Sequence, residues 1–353
     1  MYQKLLERTI AIVGMGALAL TSIIATPAQA QSAASAAQCT LDDHCYGNVY
    51  WPVADISAVE FELGVYQMQV NNLGNNFATA EAWIGFDPIP YDPNNYWVEM
   101  GITRGASVCG TGLVWFTASL LPGRGYVERC HGAATLSNTK HLVRIQEATN
   151  GTWDMYRDGV SVTRYTGAPS TTEYAEIGIE TAANSNVVSM TGGKLKYRTA
   201  AASPVWKNGW ASPSYPSYDD PGGSPCYSLW VSQPNDMRAR CNLPQTAAAS
   251  TEAAPAAASA LQQAQRIAAL AGDPSPSVVT VADSTPKAAT AQLGTAVDNA
   301  STVSIIKLTG NFKGRAFPRP QGTAAPTGNA LTIVLDKETG TVLTTQLTTN
   351  LPG

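Results

Sequence analysis

Trp97-Val98-Glu99-Met100-Gly101-Ile102 decides how this chain is read, because its alternate residues belong in different surroundings. Side chains on a strand point to opposite faces in turn, so Val98, Met100 and Ile102 form one apolar face. Trp97, Glu99 and Gly101 form the other. Upstream, Glu81-Ala82-Trp83-Ile84-Gly85-Phe86 repeats the split, with Glu81, Trp83 and Gly85 against Ala82, Ile84 and Phe86. Downstream, Tyr174-Ala175-Glu176-Ile177-Gly178-Ile179-Glu180 sets Tyr174, Glu176, Gly178 and Glu180 against Ala175, Ile177 and Ile179. Glu is an ordinary residue for the solvent face of a half-buried strand, so one such acid means little. Its recurrence with aromatic rings and Gly means more, since Glu and Gly are both depleted in strands. In one sheet the second faces would merge into a groove lined by carboxylates and rings, with glycines leaving room for a ligand near the backbone.

Outward from these segments the chain continues as short β-type runs. They include Val59–Val70, Leu113–Leu120, His141–Glu147, Thr152–Arg157 and Lys194–Arg198, with turn signals at Asn75-Asn76, Pro122-Gly123, Asn150-Gly151, Asp158-Gly159 and Gly192-Gly193. No convincing helical period interrupts them. Many short strands without helices predict an all-β fold, a jelly-roll or concanavalin-like β-sandwich over residues 39–245, which contain all eight Trp. Residues 246–260 are almost entirely Ala, Ser, Thr and Pro and read as a linker. Residues 261–353 read as a small C-terminal α+β module, with a helix over Ala258–Ala271 stopped by Gly272 and Pro274, then strands at Val303–Leu308, Leu331–Leu335 and Thr341–Leu347.

The first thirty residues predict export. Lys4 and Arg8 precede the uncharged apolar stretch Thr9–Ala25, and Pro27-Ala28-Gln29-Ala30 supplies a small-residue cleavage site, so 1–30 reads as a signal peptide and 31–38 as a disordered leader. No later apolar run is long enough to span a bilayer, and the expected product is secreted, with no membrane partner after cleavage. The net charge of −4 and 14% charged residues argue against a nucleic-acid partner. Six cysteines without CxxC spacing, beside only three His, favour disulfides over a metal site, and neither a metal nor another cofactor is expected. Local pairing gives Cys39–Cys45, Cys109–Cys130 and Cys226–Cys241, with other connectivities open. His44, His131 and His141 are scattered and read as loop or surface residues.

The segments Ala82-Trp83-Ile84-Gly85-Phe86-Asp87, Trp97-Val98-Glu99-Met100-Gly101 and Ala175-Glu176-Ile177-Gly178-Ile179-Glu180 resemble, in order and content, the motifs of the glutamic peptidases of the eqolisin and neprosin branches. The resemblance spans roughly Val59 to Arg198 and rests on short motifs. It implies a β-sandwich hydrolase acting on peptide bonds in acid. Glu99 stands where eqolisins carry Gln, which favours a neprosin-like pair of glutamates. By that match Glu99 and Glu180 are the catalytic residues, with Glu176 as the alternative second position, and Trp83, Trp97, Tyr174 and Glu176 line the substrate groove. The C-terminal hairpin from Leu331 into Leu343 faintly resembles PepSY-type modules.

The same residues support other readings. Aromatic rings and carboxylates on a β-sandwich face also suit a non-catalytic, lectin-like module that binds carbohydrate. A glycoside hydrolase would likewise use two carboxylates, at a separation set by its stereochemistry. A secreted structural protein with a solubilising acidic face is a third reading. The partner is therefore an extracellular protein or peptide, or a glycan.

Overall fold

The computed structural model describes residues 39–51, 54–86, 96–137, 139–169, 171–199, 202–208, 226–232, 236–241, 259–294, 297 and 300–349. The expected signal peptide, leader and nearly all of the Ala/Pro-rich linker lie outside them. In chain order the first strands are β1 (Cys45–Trp51), β2 (Ala58–Gln69), β3 (Phe77–Gly85), β4 (Trp97–Gly105), β5 (Leu113–Leu121), β6 (Gly125–Ala133), β7 (His141–Thr149), β8 (Thr152–Arg157) and β9 (Val160–Thr166). Next come β10 (Tyr174–Thr181), β11 (Val187–Arg198), β12 (Lys207–Asn208), β13 (Cys226–Ser232) and β14 (Asp236–Cys241). The C-terminal part holds α1 (Ala260–Leu270), β15 (Ser277–Ser284), α2 (Pro286–Leu293), β16 (Val303–Lys313), β17 (Thr327–Asp336) and β18 (Val342–Thr348).

The strands pair antiparallel into two sheets, the sandwich that the alternating segments predict. One runs β1-β10-β3-β4-β5-β6-β18-β17-β16-β15, the other β13-β14-β11-β2-β7-β8-β9 with β12 beside β11. The apolar half of each segment faces the second sheet. Ala82, Ile84, Val98, Met100, Ile102, Ala175, Ile177 and Ile179 join Phe61, Leu63, Val143, Ile145, Met155 and Met190 in one core. The disulfides are Cys39–Cys45, Cys109–Cys130 and Cys226–Cys241, and the last joins directly opposed residues of β13 and β14.

The C-terminal strands continue the first sheet. β18 pairs with β6, with Thr345 opposite Glu128 and Leu347 opposite Tyr126, so the ladder passes without a break from the sandwich into the segment expected to form the small module. α1 then lies over the sheet's outward face. Ser259 caps it, with its hydroxyl on the Gln262 amide and the Gln262 side chain returning to the Ser259 N–H. Its buried stripe of Ala264, Ile267, Ala268 and Ala271 has the i, i+3, i+4 spacing of one helix face. That stripe packs with Phe312, Phe317, Leu331, Ile333 and Leu335 from the C-terminal strands, and with Trp83, Trp97, Phe116, Ala118 and Tyr126 from β3 to β6. The sheet therefore has a core on each side. Among the described residues no helix is long and apolar enough to cross a membrane.

Candidate active site: five carboxyl groups on a covered sheet face

Register places the acids. Across β1, β10, β3, β4, β5 and β6 one row reads Tyr50, Glu176, Trp83, Glu99, Ala118 and Glu128. The next row reads Asn48, Gly178, Glu81, Gly101 and Phe116, and the one beyond it begins with Tyr46, Glu180, Thr79 and Thr103. Glu81 is thus diagonal to Glu99 on one side and to Glu180 on the other, a spacing that long side chains bridge. The structure brings the two expected catalytic residues to one face and sets a third carboxyl between them. The small Ala118 leaves Glu99 and Glu128 with no bulky side chain between them. Glu81, Glu99, Glu128 and Glu180 are each 0% exposed and Glu176 is 3% exposed.

Burial away from water disfavours the charged form of a carboxyl, and neighbouring acids add to the effect. Glu99 is held well above the usual carboxylate range, by burial first and then by the charges of Glu180 and Glu128. The indole N–H groups of Trp83 and Trp97 favour its ionised form, yet neither reaches hydrogen-bond geometry, and both Glu99 oxygens lack a protein partner. Glu81 is also pushed well up, by burial, by Glu99 and by Glu180, against a hydrogen bond from the Thr79 hydroxyl. Burial lifts Glu128 to about 8 despite the Tyr126 hydroxyl donating to Oε2 at 2.9 Å. Burial likewise lifts Glu176 to about 8, against the nearby Gln321 backbone N–H and Asn48 side chain, which favour its ionised form. Near neutral pH this face retains protons that exposed glutamates would have lost.

Glu180 is surrounded by donors. The Tyr46 hydroxyl donates to Oε1 at 3.1 Å, His44 Nδ1 contacts the same oxygen, and the backbone N–H of Arg319 donates to Oε2 at 3.1 Å. His44 Nε2 faces the carbonyls of Arg315 at 2.8 Å and Leu41 at 3.1 Å, so that nitrogen carries a hydrogen.

Arg319 and Gln321 belong to the loop between β16 and β17, closed at its base by the Gly314 N–H donating to the Pro326 carbonyl at 2.7 Å. Within it Ala316, Phe317, Pro318, Arg319 and Pro320 are all buried. The Phe317 ring stacks on Tyr126 with centroids 4.5 Å apart and planes 13° from parallel. The Arg319 guanidinium donates to the Asp42 carbonyl at 3.0 Å and the Arg315 carbonyl at 3.4 Å, while the Arg315 side chain pairs with the Asp42 carboxylate. The loop is held between the acidic face and the chain around Asp42.

Several sequence expectations change in detail. The acids, with Trp83, Trp97 and Tyr174, are buried rather than solvent-facing, because the C-terminal segment covers them. The glycines serve neighbouring side chains: a Cβ at Gly85 would stand 1.9 Å from the Tyr174 ring, and one at Gly101 would stand 2.4 Å from the Glu81 Cβ. His44, read as a loop or surface residue, is buried against Glu180. Glu81 had no assigned role, and Glu128 and its strand were not foreseen. The signal was present in Tyr126-Val127-Glu128, which repeats the aromatic-x-acid spacing of Trp97-Val98-Glu99. Among the described residues no group of three or more His, Cys, Asp or Glu is placed to hold a metal ion.

No family model matches the chain, and none of the curated proteins matches it. Among solved structures it is similar to scytalido-glutamic peptidase with a transition-state-analogue inhibitor, at TM-score 0.37 and 9% identity over 56% of this chain and 98% of that one. It is also similar to a Bacillus licheniformis β-glucanase, at TM-score 0.27 and 12% identity over 53% of this chain and 64% of that one. A Caenorhabditis elegans galectin follows at TM-score 0.23 and 11% identity over 39% and 93%. Likenesses this distant leave the chemistry to be argued from the site itself.

Proposed function

We propose that this protein is a secreted, acid-acting hydrolase of peptide bonds, with Glu99 and Glu180 as the catalytic pair and Glu81 as the carboxyl that couples them. The observation that carries the reading is the triad of fully buried carboxyls on adjacent strands, of which Glu81 and Glu99 are pushed well above the usual carboxylate range by burial and by neighbouring acids. Such a set can supply an acid and a base at once. Glu180, ringed by donors, is the base: it takes a proton from a water that attacks the carbonyl carbon. Glu99, protonated and free of protein hydrogen bonds, gives its proton to the carbonyl oxygen as the tetrahedral intermediate forms. Collapse breaks the C–N bond: the proton taken by Glu180 passes to the leaving amine, and one hydroxyl of the intermediate returns its proton to Glu99 as the C=O re-forms. Peptide and water become an acid and an amine, with no further reactant.

A peptide suits this face better than a glycan. A peptide backbone N–H, that of Arg319, already donates to Glu180. The rings of Trp83 and Trp97 are fully buried rather than offered as platforms for a sugar. The disulfides fit an exported protein, and the partner proposed is an extracellular protein or peptide. The test is hydrolysis of a denatured protein from pH 3 to pH 8. Activity in acid that declines toward pH 8 and is lost in Glu99→Gln and in Glu180→Gln is expected. Turnover retained in the double Gln variant would remove the assignment.

A further inference from the structure

We propose that the loop Gly314–Pro326 is a tethered inhibitor: it occupies the peptide groove that the preceding reading assigns to substrate, and the groove accepts a short proline-flanked segment set between two turns. The inference rests on that reading for the word substrate, and on the loop's own contacts for occupancy. The Arg319 amide donates to Glu180 at 3.1 Å, and the Gln321 backbone N–H lies close enough to Glu176 to favour its ionised form. Phe317 fills an aromatic position on Tyr126, so the loop engages both the acidic and the apolar parts of the groove.

The mode of binding is unproductive. Glu180 Oε2, on the residue that must take a proton from water, is held by the Arg319 amide instead. Pro318 and Pro320 fix the backbone on either side of Arg319, so little conformational freedom is lost on seating the loop. Both ends are fixed in paired strands, β16 and β17, so the loop competes at an effective concentration on the order of millimolar. A free peptide at micromolar concentration meets a groove already filled. Asp42 and His44 hold the loop from its other side through Arg315 and Arg319.

The experiment compares the full chain with the full-chain double variant Phe317→Ala/Arg319→Ala, which removes the ring stack and the guanidinium contacts that seat the loop. The probe is a fluorescent peptide with the sequence of residues 314–323, and hydrolysis of denatured protein is followed in parallel at acid pH. The opened variant is expected to bind the peptide at least tenfold more tightly than the unaltered chain and to hydrolyse at least tenfold faster. Equal peptide binding by both forms overturns the proposal, as does an opened variant that is folded and binds none. Equal hydrolysis by both also overturns it, while leaving the peptidase reading intact. Peptide capture by the opened variant without hydrolysis upholds the loop's role and removes the peptidase reading. Hydrogen exchange of the unaltered protein decides the matter if the variant does not fold. Arg319 and Gln321 amides that exchange through a local opening support a displaceable loop; amides that exchange only with global unfolding, as core amides of Ile84 and Met100 do, make it a fixed part of the fold and overturn the proposal.

Discussion

Ile84, Met100 and Ile177 on one face of the central strands, and Glu81, Glu99 and Glu180 on the other, are all fully buried, yet they are buried for opposite reasons. The first group gains from leaving water and meets the apolar side of the second sheet. The second loses hydration and recovers part of it through donors such as the Tyr46 hydroxyl and the Arg319 amide on Glu180 and the Thr79 hydroxyl on Glu81. A sheet face that costs stability and is nevertheless retained and covered is where chemistry is expected. The comparison teaches that burial alone does not mark a core: the chemistry of what is buried does.

The largest expected effect breaks the symmetry through activity. In the background of the opened loop, Glu99→Gln is expected to reduce hydrolysis by about 10³-fold, the scale of one acid-base group, with the fold kept. Met100→Ala on the opposite face of the same strand should leave the site chemistry in place and lower stability by about 2–5 kcal/mol. Urea unfolding of both variants, beside the hydrolysis assay, checks the pair. A Glu99→Gln variant with unchanged turnover would place the chemistry elsewhere.

The inner face should be indifferent to pH and the outer face sensitive to it. Glu128 and Glu176 hold their protons in the folded chain up to about 8, against an ordinary value of 4.5. Between those values the folded chain binds more protons than the unfolded one, so stability falls as pH rises. The contribution is complete below pH 4.5 and lost as pH passes through about 8. Glu128→Gln, which cannot ionise, is expected to stabilise the protein at pH 8 by roughly 2–4 kcal/mol and to change little at pH 4. Thermal unfolding at the two pH values reads this, and an equal effect at both would break the argument.

The smallest effect concerns the cover. Ser259→Ala removes the capping box of α1 and should lower stability by about 1 kcal/mol. Peptide binding should be unchanged, since the contacts that seat the loop, Arg319 on Glu180 and Phe317 on Tyr126, are left in place. Denaturant unfolding with the fluorescent peptide present separates the two.

The sandwich was legible because period-two alternation is local: every apolar residue of the three segments at Ala82, Val98 and Ala175 falls in the inter-sheet core. The co-facial placement of Glu99, Glu176 and Glu180 followed from the same period. β1 and β6 were missed because Cys45-Tyr46-Gly47-Asn48 and Glu128-Arg129-Cys130-His131 lack the apolar half of the pattern. β6 escapes the need for it partly because Arg129 and His131 are satisfied by polar and aromatic partners, Thr163, Tyr165 and Thr117. The cover was not legible at all. It depends on β18 pairing with β6 and on Arg319 reaching Glu180, contacts between residues far apart in sequence that no local pattern encodes.

The central claim is that the outward face is a proton-holding carboxyl site and not a second apolar core. A ¹³C-detected titration of the glutamate side-chain carboxyls in the full chain, from pH 3 to pH 10, tests it most directly. The account predicts that Glu128 and Glu176 titrate near 8 and that Glu81 and Glu99 still hold protons well above the usual carboxylate range. All four titrating together at about 4–5, as exposed glutamates do, would contradict it.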